Sequence, residues 1–167
     1  MQRRTLLAGL SGLTLLASCG GDSARFLPYT GPKITQVQVY KSRRKMYLIS
    51  GNTVIKEYDV ALGGNPHGKK RFEGDGKTPE GLYFIDRHNP RSAYHLSVGI
   101  SYPNPQDVAY AQANNRKPGG DIFIHGRAGK DRGRGKDWTA GCIAVTDEEI
   151  EDIYKMITVG TPIWIFP

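Results

Sequence analysis

Short segments in which apolar and polar residues alternate occur along most of the chain, and they predict a domain built mainly from β-strands. In the segment 34–40, Val37 and Val39 fall on one face of such a strand. Gly51-Asn52 separates the next two segments, and this dipeptide is typical of a two-residue hairpin turn. The predicted strands are 34–40, 45–50, 53–62, 82–86, 94–100, 122–124, 143–145 and 162–166, with a turn at 87–90 between the fourth and the fifth.

Two further segments have the signals of helices. Asn104-Pro105 resembles an N-cap with proline at the first helical position, and it predicts a helix from there to about Arg116. Thr146 and Glu149 have the spacing of a capping box, which predicts a second helix ending near residue 157. The pattern as a whole indicates a mainly β fold with two or three short helices.

The first residues of the chain have the order of a bacterial lipoprotein signal. Positive charges at 1–4 precede an apolar run at 6–17, and Leu16-Ala17-Ser18-Cys19 resembles a lipobox. The apolar run is shorter than the ~20 residues that a spanning helix needs. We therefore expect a signal peptide at 1–18, a lipidated Cys19, a flexible tether over 19–33 and one folded domain at 34–167.

This signal implies export to the periplasm, and Gly20 after the lipidated residue favours the outer membrane under the sorting rules that it resembles. Arg3-Arg4 is also similar to a twin-arginine signal, so the sequence leaves the export route open. The formal net charge of +7 suits an acidic polymer, a membrane surface or nucleic acid. An exported chain rarely meets nucleic acid, so we expect no nucleic-acid partner.

The chain has two cysteines, and the signal assigns one of them to lipid. Cys142 would then be the free thiol of the mature protein, with a Cys19–Cys142 disulfide as the alternative. No zinc-ligand spacing occurs in the sequence, so no metal site is predicted.

His125 and Cys142 each lie beside a short apolar run, with a loop of Gly, Arg, Lys and Asp between them. An imidazole that removes the proton of a thiol makes it a good nucleophile. Gly141 would let the backbone turn sharply, and the amides of Gly141 and Cys142 could face an oxyanion. The alternative interpretation is a buried cysteine that packs as a small hydrophobe.

The detailed pattern at these residues resembles the L,D-transpeptidase catalytic domain, also called the YkuD domain. Ile124-His125-Gly126 and Thr139-Ala140-Gly141-Cys142-Ile143 are similar to its signature, and the segment 78–85, TPEGLYFI, is similar to a second family motif. Many members have histidine where this chain has Ala140, and arginine or asparagine where it has Ala144. The resemblance implies a β-sandwich or barrel-like domain.

The resemblance also implies a function. Cys142 would attack a peptidoglycan stem peptide, His125 would be the base, and an amine of a second stem or of a lipoprotein lysine would accept the acyl group without a cofactor. One alternative keeps this chemistry with water as the acceptor, which makes a hydrolase of stem or lipoprotein linkages. Another is a peptidoglycan-binding lipoprotein without catalysis.

Three residues are candidates for substrate binding. Thr139 belongs to the signature, and Arg127 is one of the basic residues between the base and the nucleophile, where a guanidinium could bind a substrate carboxylate. His67 lies in a turn-rich loop from which it could reach a substrate. The alternatives are solvated side chains without a role in the reaction. The remaining basic residues of the loop are Lys130, Arg132, Arg134 and Lys136.

Overall fold

The computed structural model describes residues 28–133 and 137–167, so the predicted signal peptide and Cys19 lie outside the described residues. The fold is mainly β with two short helices, as predicted. Its elements are β1 (Gln36–Tyr40), β2 (Lys45–Ser50), β3 (Thr53–Asp59), β4 (Gly81–Ser92), β5 (His95–Ile100), α1 (Pro105–Ala113), β6 (Phe123–His125), β7 (Ile143–Ala144), α2 (Asp147–Met156) and β8 (Pro162–Phe166).

The eight strands form one sheet in the order β3-β2-β1-β8-β4-β5-β6-β7. The pairs β1–β8 and β6–β7 are parallel, and the other neighbours are antiparallel. Ala61, just after β3, exchanges two backbone hydrogen bonds of 2.9 and 2.8 Å with Ala144 of β7. The two ends of the sheet therefore meet, which gives the barrel-like closure expected for this fold.

The core fills the inside of this closed sheet and the interface with α2. Val37 and Val39 of β1 are both fully buried, which confirms the predicted face of the first strand. On α2, Ile150 and Ile153 are fully buried, and the helix contacts β5 and β6. Burial of aliphatic side chains of this size stabilises the fold by about 1.5–3 kcal/mol each.

The local signals of the predicted turn and helices are confirmed. Gly51 adopts φ 58° in the turn between β2 and β3, a conformation that glycine reaches without strain. Capping boxes form at Asn104 for α1 and at Thr146 for α2. Among the described residues, no helix is long and apolar enough to cross a membrane.

Three boundaries differ from the prediction by three residues or more. Strand β3 ends at Asp59 instead of residue 62. The expected turn at 87–90 is wrong, because β4 continues to Ser92 through Pro90. A register shift against β5 between Asn89 and Ser92 accommodates a residue that cannot donate to the ladder. Helix α1 ends at Ala113 instead of about Arg116, because Asn115 takes a left-handed conformation with φ 53°.

Candidate active site

Neighbouring parallel strands hold His125 and Cys142. His125 is the last residue of β6, Cys142 immediately precedes β7, and the strands pair Ile124 with Ile143. Both side chains line a cavity of about 260 Å³. The rest of its lining comes mainly from the end of β4, the following turn and the segment before β6: Asn89, Ser92, Ala93, Tyr94, Ser97, Asp121 and Phe123. The predicted base and nucleophile thus share one cavity.

The hydrogen bonding of His125 determines which ring nitrogen is free. Its Nδ1 lies 2.6 Å from the carbonyl oxygen of Gly126. A carbonyl oxygen only accepts, so Nδ1 carries the proton in this hydrogen bond. In the neutral ring, Nε2 then holds the lone pair that a general base needs.

Aromatic rings enclose this imidazole. Tyr94 stacks on it with centroids 4.5 Å apart, and Trp138 approaches edge-on at 5.7 Å. Burial lowers the pKa of His125 below its ordinary value, the Gly126 hydrogen bond opposes this, and the charge of Arg127 lowers it further. The imidazole is consequently neutral at pH 7, as a base must be before the reaction.

The thiol of Cys142 is half-buried and points at backbone oxygen. Its Sγ donates to the carbonyl of Asp121 at 3.4 Å. Burial raises the pKa of the Cys142 thiol, although the charge of Lys70 acts in the opposite direction. These directions favour a thiol and a neutral imidazole as the resting pair.

A tight turn presents the thiol. Gly141 has φ 138°, and a Cβ there would lie 2.6 Å from the carbonyl oxygen of Lys77, so a larger residue is strained and crowded. The Thr139 hydroxyl accepts from the Gly141 amide at 3.1 Å and donates to the Cys142 carbonyl at 2.7 Å. Thr139 therefore fixes the turn, and the Gly141 amide, predicted as an oxyanion donor, already has a partner.

Asp147, the first residue of α2, holds the backbone that follows His125. Its carboxylate accepts from the amides of Arg127, Ala128 and Gly129 at 2.7, 3.0 and 2.9 Å. A Cβ on Gly126 would lie 2.5 Å from this carboxylate. The glycine of the His-Gly motif thus allows α2 to come close enough for Asp147 to bind three successive amides.

We predict that Asp147→Asn destabilises the protein by about 1 kcal/mol at pH 7, because a neutral acceptor binds these amides less strongly. Burial alone would raise the pKa of Asp147, but the three amide hydrogen bonds lower it overall. This stability is present above the unfolded-state pKa of about 3.9 and is lost as pH falls through the lower folded-state pKa. Urea unfolding across this range measures it.

The matched control is Glu148→Gln, which removes an exposed charge from the same helix terminus without touching the three amides. An equal loss in both variants, or a loss in Asp147→Asn that persists unchanged at low pH, would contradict the assigned role.

Arg127 lies close enough to His125 for its charge to act on the imidazole, but it lines neither cavity beside Cys142, and its substrate-binding role stays a prediction. Its guanidinium donates to the Arg132 carbonyl at 2.8 Å, and the Arg132 guanidinium lies 5.5 Å from the Tyr94 ring centroid. Two positive groups thus lie near the aromatic wall of the cavity. Arg134 and Lys136 are outside the described residues.

A second cavity of about 260 Å³ opens on the other side of the thiol, and Cys142 and Asp121 line both. Lys70 lines it too, although this side chain is only 3% exposed and is ion-paired with Asp75 at 2.9 Å. No sequence motif indicates Lys70 as a residue of this site. Nothing in the pair Lys69-Lys70 marks one residue as buried, because that burial depends on Asp75.

The remaining candidates lie apart from this site. His67 lines a different cavity of about 600 Å³, together with Lys41, Arg44 and Glu80. It does not line either of the cavities that Cys142 lines. Its substrate-binding role stays a prediction, as does the lipidation of Cys19 outside the described residues.

Comparison with known proteins agrees with this geometry. Residues 34–165 match the family model of the L,D-transpeptidase catalytic domain, YkuD. YafK of Escherichia coli (strain K12), provisionally named an L,D-transpeptidase, is 27% identical over 128 residues, which are 73% of this chain and 46% of YafK.

Solved structures show the same similarity. The helical cell shape determining protein Pgp2 from Campylobacter jejuni has a TM-score of 0.62 and 26% identity, over 87% of this chain and 51% of Pgp2. Bd1075 of Bdellovibrio bacteriovorus has a TM-score of 0.57 and 27% identity, over 80% of this chain and 48% of Bd1075. The chain thus spans about half the length of the relatives it matches.

Proposed function

Because the chain belongs to the L,D-transpeptidase catalytic-domain family, we propose that it is a cysteine-dependent acyltransferase that acts on peptidoglycan stem peptides. The observation that carries the proposal is the shared cavity of Cys142 and His125, with the lone pair of the imidazole left on Nε2. Pgp2 is named for determining cell shape, and a role in the cell wall is consistent with that relative.

The proposed reaction starts from the neutral pair. His125 Nε2 accepts the thiol proton while Cys142 Sγ attacks the carbonyl carbon at the L-centre of diaminopimelate in a tetrapeptide stem. The tetrahedral intermediate collapses, the bond to D-alanine breaks, and the imidazolium returns its proton to the leaving amine. A thioester remains on Cys142. An amine then attacks its carbonyl carbon while His125 accepts the amine proton, the carbon–sulfur bond breaks, and the imidazolium returns the proton to the Cys142 sulfur.

The charge on the tetrahedral oxygen needs donors close to the sulfur. The Gly141 amide already donates a hydrogen bond to the Thr139 hydroxyl. Of the two amides predicted to bind the oxyanion, that of Cys142 is therefore the better candidate. Thr139 acts in this proposal by holding the turn, through the hydrogen bonds on both sides of Gly141.

The position of the thiol between two cavities suits a reaction with two peptide substrates. The imidazole side has Arg127 and Arg132 nearby, and the opposite side contains Lys70. Positive charge on the imidazole side is compatible with stem peptides, which are rich in carboxylates. On the opposite side the charge of Lys70 is paired with that of Asp75.

Incubation of the purified protein with sacculi, followed by muropeptide analysis, tests the function. New 3→3 dimers would support transfer to an amine. Trimmed monomers would instead mean that water is the acceptor and that the protein is a hydrolase. If Cys142 forms no covalent adduct with a carbapenem and the muropeptides do not change, the non-catalytic binding function is correct and the proposal is wrong.

We predict that Arg127→Gln combined with Arg132→Gln raises KM for an anionic stem peptide about three- to tenfold and changes kcat less, because an exposed charge-assisted hydrogen bond contributes mainly to binding. Steady-state kinetics measures the two constants. Lys130→Gln removes an exposed charge from the same loop and is the control. An unchanged KM in the double variant would mean that the arginines only solvate the loop.

We further propose that Cys19 is lipidated and anchors the domain in the periplasm, with the outer membrane favoured. The support is the charged start, the short apolar run and the lipobox-like residues before Cys19. One acyl chain binds a membrane only marginally, so multiple acylation is expected. Mass spectrometry of the mature N-terminus tests this, and an unmodified Cys19 or cleavage elsewhere would contradict it.

A further inference from the structure

Two arginine and two aromatic side chains form a stack near the chain segments that line the second cavity, with the two rings between the two guanidinium groups. The Arg116 guanidinium lies 4.0 Å from the Phe72 ring centroid, Phe72 is 5.9 Å from Tyr110, and the Arg71 guanidinium lies 4.2 Å from the Tyr110 centroid. We name these four residues the arginine–aromatic ridge. Tyr110 is 42% exposed and Arg116 is exposed, so the ridge is open to a ligand.

Three ridge residues belong to the two chain segments that line that cavity, although no ridge side chain lines the cavity itself. On one segment, Arg71 and Phe72 lie between the lining residues Lys70 and Glu73. On the other segment, Arg116 lies three residues before the lining residue Gly119. The Glu73 amide donates to the Lys117 carbonyl at 2.9 Å, which joins the two segments. A ligand that leaves the cavity along these two segments would therefore pass the ridge.

Charge determines which ligand the ridge suits. Within the described part of the chain, neither Arg71 nor Arg116 forms an ion pair with a carboxylate. Stacking on a ring orients a guanidinium and leaves its N–H edge free for a carboxylate. Glu73 and Asp121 line the cavity itself, so ligand carboxylates are expected over the ridge rather than inside the cavity.

We propose that the arginine–aromatic ridge is a binding subsite for the carboxylates of a peptide strand that enters the second cavity beside Cys142. The inference deepens the proposed function and rests on it for the identity of the peptide as a peptidoglycan stem. The ridge itself is defined by contacts that do not depend on catalysis.

The test measures binding without turnover. A protein with Cys142→Ser is titrated calorimetrically with two stem tetrapeptides that differ only at the second residue, whose carboxyl group is free in one and amidated in the other. Adding Arg71→Gln and Arg116→Gln should raise Kd for the free-carboxylate peptide about five- to tenfold and leave Kd for the amidated peptide unchanged. Arg71→Lys with Arg116→Lys keeps the charge and should recover part of the affinity.

The matched control is Arg43→Gln, because the Arg43 guanidinium also lies over a tyrosine, 5.2 Å from the Tyr40 ring centroid, but away from both cavities. It should change neither Kd. Equal affinity of the starting protein for both peptides, a change under twofold in the double variant, or an equal loss for both peptides would overturn the proposal. Failure of the proposed function would appear separately: the protein that keeps Cys142 would leave the muropeptides unchanged when it is incubated with sacculi.

Discussion

Replacing Cys142 by serine is expected to reduce acyl transfer at least about 10³-fold while the protein still folds. The replacement is nearly isosteric, and the hydrogen bonds of the thiol are to backbone groups, including the Asp121 carbonyl. A serine hydroxyl is far less acidic than a thiol, and this site offers a single neutral imidazole to activate it. Turnover is measured with a stem tetrapeptide, and the thioester by intact-protein mass spectrometry.

Circular dichroism and thermal unfolding of the same samples establish whether the variant is folded. A folded Cys142→Ala variant controls for any function of the serine hydroxyl. If Cys142→Ser is folded and turns over at the rate of the starting protein, Cys142 is not the nucleophile.

Replacing His125 by alanine is expected to slow acylation about 10²–10⁴-fold, the usual contribution of a positioned base. Because burial holds the pKa of His125 below its ordinary value, the starting protein should lose rate on acidification only below pH ~6.5, as the imidazole becomes charged. The variant should lack this acidic limb and should accelerate with rising pH as thiolate forms. Stopped-flow acylation by a carbapenem gives both profiles.

His88→Ala is the matched control, since His88 lies in β4 with its ring 4.6 Å from that of Tyr154 and does not line the cavities beside the thiol. A loss of only a few-fold in His125→Ala, with an unchanged pH profile, would mean that another group is the base.

The features that could be predicted from the sequence are those set by neighbouring residues. The two residues Gly51-Asn52 are enough to indicate the turn between β2 and β3. Each capping box joins two residues that are three positions apart, as Thr146 and Glu149 are. The family signature consists of two segments, one around His125 and one around Cys142, and each segment is contiguous in sequence. The family could therefore be inferred from the residues alone.

Features whose partners no sequence motif marks were missed, whether those partners are distant or only a few residues away. Strand β4 continues through Pro90 because its pairing with β5 shifts register there. Neither the sequence of β4 nor that of β5 indicates this shift by itself. Lys70 can be buried because its charge is paired with Asp75. The amide of Gly141 is already hydrogen-bonded because the Thr139 hydroxyl is oriented to accept from it. Such arrangements result from three-dimensional packing, which alternation and spacing do not encode.

The pairing of Ala61 with Ala144 also bears on when activity appears during folding. Strand β7 contains two residues, and it is held by β6 on one side and by Ala61, from the other end of the sheet, on the other. Contacts between segments so distant in sequence form slowly, because the entropy of closing a long loop is lost before the contact is gained. A chain with local hairpins but an unclosed sheet would therefore lack an ordered segment at Cys142. Under the proposed function, acylation of this thiol would report completed folding.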